Sequence, residues 1–269
     1  MADARSSGRA SRVADVVRAS HPEPGVAVTA LTVALGAFGG LPLERLVILA
    51  VAVLSGQLLV GWTNDLIDAR VDRRAGRDEK PLASGALPVR WVVVSAGVST
   101  VVCIVFSLLC GPAAAAVHLV LGVGAAITYN LGLKGTVLSW VPYMVAFGSL
   151  PVAVGLTLRP TELPPVWVVV VAGLLGIGAH LLNVYPDLDV DAATGVRGLP
   201  QRLGRRGIPV ATTVVMTLAT LVAVIGAGAH VWHWVALAGV VVIATQCRRA
   251  PLTVTVTIAV VDLVILVTA

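Results

Sequence analysis

A chain of 269 residues that is 57% hydrophobic and only 12% charged is too apolar for a soluble globular domain, and it breaks from end to end into apolar runs of membrane-spanning length. Its net charge of +5 forms no basic run interleaved with aromatic residues, so nucleic acid is excluded as a partner. The excess points instead to membrane topology and an anionic ligand, and no stretch remains for a separate soluble domain.

Residues 1–23 are polar, carry Arg5, Arg9, Arg12 and Arg18, and read as a cytoplasmic tail ending in a short surface helix. They lack the apolar core of a cleavable signal. Residues 24–269 then form a single transmembrane domain of nine predicted helices: 24–40, 44–63, 88–110, 112–131, 138–158, 165–185, 208–229, 231–247 and 251–268. Leu41-Pro42-Leu43 and Gly111-Pro112 make tight outer turns. With the N-terminus cytoplasmic, 17 of the 19 Lys and Arg residues fall on the cytoplasmic side, leaving only Arg45 and Arg159 outside. Cys103, Cys110 and Cys247 read as small buried apolar residues, because Cys103 and Cys110 lie two turns apart on one helix and cannot bridge.

The chemistry concentrates at the end of the second span, in Gly61 to Gly85, GWTNDLIDARVDRRAGRDEKPLASG. Asn64, Asp68 and Asp72 are four residues apart, which stacks them on one helix face at steps of about 6 Å. His180 to Gly204, HLLNVYPDLDVDAATGVRGLPQRLG, repeats the device with Asn183, Asp187 and Asp191. At one offset of 119 residues, Asn64/Asn183, Asp68/Asp187, Val71/Val190, Asp72/Asp191, Gly76/Gly195, Pro81/Pro200 and Gly85/Gly204 all coincide. That register reads as an internal repeat bringing two acidic faces together. Pro186 should kink the second copy or start a new segment there.

Asp supplies hard oxygen ligands, which suit Mg2+, and Mg2+ takes few protein carboxylates and completes its shell with water and phosphate oxygens. Two acidic faces followed by Arg77, Lys80, Arg197 and Arg202 therefore make a candidate diphosphate site. Asp65 and Asp189 sit off the shared faces. Lys134 falls in a loop on the same side, His180 and His118 read as interior histidines, and Asp262 lies inside the last span with no partner evident.

NDLIDARVD with KPLASG, and NVYPDLDVD with GLPQRLG, resemble the paired motifs of the UbiA-type membrane prenyltransferase superfamily, which includes terpene cyclases. The resemblance implies nine helices around a central cavity open sideways to lipid, with a prenyl diphosphate held through Mg2+ by both motifs. It implies Asn64, Asp68 and Asp72 as the first metal–diphosphate motif, and Asp187 and Asp191 as the second, with Asn183 beside them. It assigns Lys80, Tyr129, Lys134 and, with a looser match, Arg197 and Arg202 to substrate binding. Pro186 and the compact loop between Asp72 and Lys80 depart from the pattern and bear on acceptor recognition. The implied reaction is transfer of the prenyl group to an aromatic or lipid acceptor. The alternatives are intramolecular cyclisation and, from another class, membrane transport. Only 12 residues are aromatic, so a cation-guiding cage would be sparse, drawn from Trp62, Tyr129, Trp140, Tyr143, Phe147 and Tyr185.

Overall fold

The protein is described from a computed structural model over residues 12–247 and 249–269; the first part of the expected tail, with Arg5 and Arg9, lies outside the described residues. Every regular element among those residues is helical. In chain order the main helices are α1 (Pro22–Phe38), α2 (Leu43–Arg74), α3 (Val89–Cys110), α4 (Pro112–Leu131), α5 (Val141–Leu158), α6 (Val166–Val184), α7 (Leu188–Thr194), α8 (Leu199–Gly226), α9 (Val231–Ala244) and α10 (Pro251–Val267). Six segments, α2, α3, α4, α5, α6 with its extension through α7, and α8, are long and apolar enough to cross a membrane. Helices α1, α9 and α10 are shorter apolar helices. Large aliphatic side chains such as Val93, Val94, Val98, Val101 and Val105 on α3 stand exposed, as they would against lipid rather than water. The chain is an integral membrane protein.

The expected spans and the helices agree closely except where the motifs lie. The second was expected to end near residue 63, but α2 continues to Arg74, so the whole first acidic face is carried on one rigid helix. The seventh was expected from residue 208, yet helix begins at Leu199 and bends at Gly204, whose φ of 64° breaks the run. Helix α4 contains a π-helical segment, Val117–Val123, that carries buried His118. His118 Nδ1 meets Ser107 Oγ at 2.8 Å, the interior role read for it. All three cysteines are buried.

Consecutive helices pack as neighbours, and α10 returns against both α6 and α1, closing the bundle on itself. One apolar cluster fills the half built on α6, α8, α9 and α10, around Met216, Val240, Ile258 and Ile265. A second lies between α1, α2, α3, α4 and α5, around Leu49, Val53 and Val154. Close approach of backbones substitutes for hydrophobic drive in lipid. At Gly176 on α6, a Cβ would stand 2.5 Å from the Tyr143 carbonyl oxygen of α5, so only glycine lets these two helices meet.

Two pairs of glycines in register at the 119-residue offset share a positive φ. Gly76 and Gly195 have φ of 69° and 82°, and Gly85 and Gly204 have φ of 80° and 64°. Each acidic segment is thus followed by two glycines at φ values that favour glycine, of which Gly195 caps α7 in the left-handed state and Gly204 bends α8.

Candidate active site

The last three turns of α2 hold the first set of side chains. Asn64 is half-buried and makes no side-chain hydrogen bond among the described residues, whereas Asp68 pairs with Lys134 from the loop after α4. Asp72 accepts a hydrogen bond from Lys80 Nζ at 2.8 Å and lies 3.8 Å from Arg77 Nη1. Lys80 also donates to Asp65 Oδ1 at 3.0 Å, and both partners are nearly closed to solvent. Burial alone would lower the Lys80 pKa, but Asp65 and Asp72 outweigh it and hold the ammonium above its usual range.

The second set is built differently, for the reason Pro186 suggested. Helix α6 stops at Val184, a 3-10 turn spans Tyr185–Asp187, and α7 restarts at Leu188. Asn183 Nδ2 donates to the Tyr143 hydroxyl at 3.2 Å, and Asp191 Oδ2 accepts from Gln201 Nε2 at 2.7 Å. Ser139, fully buried, accepts from the Leu199 backbone N–H at 3.1 Å and meets His180 Nε2 at 3.0 Å, tying the start of α8 to α6. Gly198 seats this loop, since a Cβ there would fall 2.4 Å from the Lys134 carbonyl oxygen. Sequence reasoning missed Gln201 and Ser139; Gln201 stands inside the quoted GLPQRLG, while nothing in the sequence marks Ser139.

The two sets meet. Arg77 Nη2 donates to Asp187 Oδ1 at 2.9 Å and its Nε to Glu79 Oε1 at 2.9 Å, while Nη1 faces Asp72. One guanidinium therefore links an acid of the first segment to an acid of the second. Burial would lower the Arg77 pKa; Glu79, Asp187 and Asp72 raise it above its usual value, so the charge is permanent. Lys134, paired with Asp68, also lies within electrostatic reach of Asp191, and Tyr129 lies within reach of Asp68, Asp187 and Asp191. An open cleft of about 500 Å³ separates the two helix ends, lined by Val71, Arg74 and Ala75 on one side and Asp189, Val190, Ala193 and Thr194 on the other.

Beneath the charged groups lies an aromatic cluster. Tyr129 meets Tyr143 edge-on at 5.1 Å and His180 at 5.5 Å, and Tyr143 stacks on Phe147 at 6.3 Å. Trp62 is not part of it, because its indole donates to the Val16 carbonyl at 2.8 Å. Tyr185 turns instead to Arg205, 5.8 Å from its ring. Arg197 and Arg202 are exposed and make no ion pair with the motif acids; Arg202 Nε donates to the Arg197 carbonyl at 3.3 Å.

Residues 25–253 match the UbiA prenyltransferase family. The chain belongs to that family. It is 31% identical over 183 residues to the bacteriochlorophyll synthase 33 kDa chain of Cereibacter sphaeroides, a match covering 64% of this chain and only 60% of that relative's length. Its fold is that of the UbiA homolog from Aeropyrum pernix, with a TM-score of 0.72 at 17% identity, covering 89% of this chain and 96% of the other. The UbiA homolog from Archaeoglobus fulgidus bound to GPP and Mg2+ gives 0.71 at 15% identity, over 94% and 99% of the two chains.

The side chains suit a divalent hard cation. Among the described residues no three Asp, Glu, His or Cys side chains converge on a point, and each acid stands singly or in a pair, covered by Lys, Arg or Gln. Mg2+ binds through one or two carboxylates and completes its shell with water and phosphate oxygens, a demand that acids standing singly or in pairs can meet.

Proposed function

We propose that this UbiA family member is a Mg2+-dependent intramembrane prenyltransferase that ionises a prenyl diphosphate and transfers the prenyl group to an aromatic or lipid acceptor. The observation that carries this reading is the link from Asp72 through Arg77 to Asp187, which joins the two acidic segments at one end of the bundle. In this reading α1, α9 and α10 cross the bilayer with the six longer spans, giving nine around a central cavity. The shared positive-φ glycines support descent of the two halves from a repeat. The Lys and Arg bias supports a cytoplasmic motif end, with the enzyme in the plasma membrane.

Asn64, Asp68 and Asp72 on α2, and Asp187 and Asp191 around α7, would hold the metal. When bound, Mg2+ would neutralise the diphosphate as the allylic C–O bond breaks. Arg77 and Lys134 would turn from their carboxylates toward the phosphate oxygens, while Lys80, which stays on Asp65, would offer them its remaining N–H. Asn183 holds the Tyr143 hydroxyl. Tyr129, Tyr143 and Phe147 would then face the allylic cation with their π surfaces and keep water from it. Arg197 and Arg202, exposed and away from the acids, would guide the anionic head group at the mouth.

Cyclisation of the bound chain is the second reading, and the Tyr129–Tyr143–Phe147–His180 cluster is what favours it, since a compact aromatic wall can steer an intramolecular cation. The test is to incubate the purified protein in lipid nanodiscs with Mg2+ and prenyl diphosphates of increasing length, with and without phenolic, quinone-precursor and lipid acceptors. Prenylated acceptor together with inorganic diphosphate is the expected outcome. Cyclic hydrocarbon formed without acceptor would replace transfer by cyclisation. Unmodified substrate accumulating inside sealed vesicles would replace both by transport.

A further inference from the structure

Asp65 is adjacent to Asn64 in sequence, yet its surroundings differ from those of every other acid in the two segments. Its side chain is 1% exposed. One oxygen, Oδ1, receives both Lys80 Nζ at 3.0 Å and His21 Nε2 at 2.9 Å. The other, Oδ2, is buried with no partner. A carboxylate whose Oδ1 is shared by two donors and whose Oδ2 is sealed from solvent is not presented to an incoming hydrated ion.

His21 is delivered by a docked segment. Trp62 holds the Val16 carbonyl, and Gly61 admits the Ser20 carbonyl so closely that a Cβ would stand 2.0 Å from it. Ala19 and Trp62 close a small apolar cluster with Leu82, Leu87 and Val92 over the same helix end. Asp65 thus stands where the N-terminal segment, α2 and the loop carrying Lys80 are joined.

The second half of the chain supplies a comparison within the same molecule. At the offset of 119 residues, Asp65 corresponds to Val184 and Lys80 to Leu199. Asn64, Asp68 and Asp72 all have polar counterparts there, but the acid and the lysine are replaced together by two apolar residues. The pair is present in one half and absent as a pair in the other, while the ligand-type positions are kept in both.

From these observations we infer that Asp65 is a positioning residue, not a metal ligand: it fixes the Lys80 ammonium beside Asp72, where the head group of the diphosphate would arrive. This rests on the prenyl diphosphate reading for its functional consequence, but the pairing itself does not. Without Asp65, a lysine that is almost fully buried would keep only Asp72, and its charge would be poorly compensated.

A double-mutant cycle tests this with Asp65→Val, Lys80→Leu and both together, the last reproducing the second half's own pair. Thermal unfolding of the purified full chain should show Asp65→Val melting well below the parent and the double variant recovering most of that loss. In turnover, Lys80→Leu should raise KM for the prenyl diphosphate about tenfold, the loss of one charge-assisted contact. Adding Asp65→Val to Lys80→Leu should change KM, kcat and the Mg2+ concentration for half-activity by less than about twofold, because a residue that acts through Lys80 has nothing left to position once Lys80 is gone. A further large fall in kcat with a shifted Mg2+ requirement would make Asp65 a ligand and overturn the inference. So would a double variant no more stable than Asp65→Val. If the parent protein turned over no prenyl diphosphate at all, the proposed function would fail, and the melting cycle would still decide the pairing.

Discussion

Replacing Arg77 by Met keeps the length and apolar body of the side chain but removes the charge that links the two acidic segments. The Arg77–Asp187 contact of 2.9 Å corresponds to about 1.4 kcal/mol of attraction in water and about 6 kcal/mol at the effective dielectric of a protein surface. With the side chains 20% and 41% exposed, solvent screening places the usable part near the lower end, about 2 kcal/mol. If Arg77 transfers that interaction to the departing diphosphate, Arg77→Met should lower kcat/KM about thirtyfold. The same change strips a positive charge from beside Asp72 and Asp187, so the Mg2+ concentration for half-activity should fall, not rise. Steady-state turnover of a labelled prenyl diphosphate across a Mg2+ titration reads both quantities. A variant with kcat/KM within threefold of the parent, or one needing more Mg2+, would refute the role given to Arg77.

Four further outcomes follow from the packing. Gly198→Ala would put a Cβ 2.4 Å from the Lys134 carbonyl and push apart the two loops, so activity should drop at least tenfold with about 1–3 kcal/mol of lost stability. Gly135→Ala, with open space at its Cβ, should be near neutral in the same assays. Ser139→Ala removes the acceptor of the Leu199 N–H and, among the described residues, the one hydrogen-bond partner of the His180 ring, and should lower thermal stability by about 1–3 kcal/mol. Asp262 is buried with both oxygens unpartnered, and the Thr220 hydroxyl beside it donates to the Met216 carbonyl at 3.3 Å. Asp262→Leu should therefore raise the melting temperature without changing turnover, as removal of an uncompensated polar group from an apolar interior does.

The membrane class and most spans were legible because apolar runs bounded by Pro, Gly and Arg leave little choice in lipid. The acidic registers were legible because a four-residue spacing is a helical spacing, and Pro186 correctly marked the break in the second copy. Hydropathy ends the second apolar span at residue 63, and the acids after it read as helical; α2 joins the two as one helix that runs through its polar face to Arg74. Partner choice was not legible. Asp65 and Asp68 are three residues apart, yet one is sealed against Lys80 and His21 while the other meets Lys134, and only the three-dimensional path of the loops decides which. Trp62 and Tyr185 were plausible members of an aromatic cage by sequence; the N-terminal segment claims one and Arg205 the other. His21 lay in a stretch expected to be a solvated tail, and nothing in its sequence signals a partner 44 residues away.

The central claim is that both acidic segments serve one metal–diphosphate site. Binding of a radiolabelled prenyl diphosphate to the purified protein, measured with Mg2+ and with chelator, for the parent, Asp68→Asn and Asp187→Asn, tests it most directly. The account predicts Mg2+-dependent binding in the parent and at least a tenfold weaker affinity in each variant, about 1.4 kcal/mol or more. Binding that survives chelation, or that either substitution leaves intact, would contradict it.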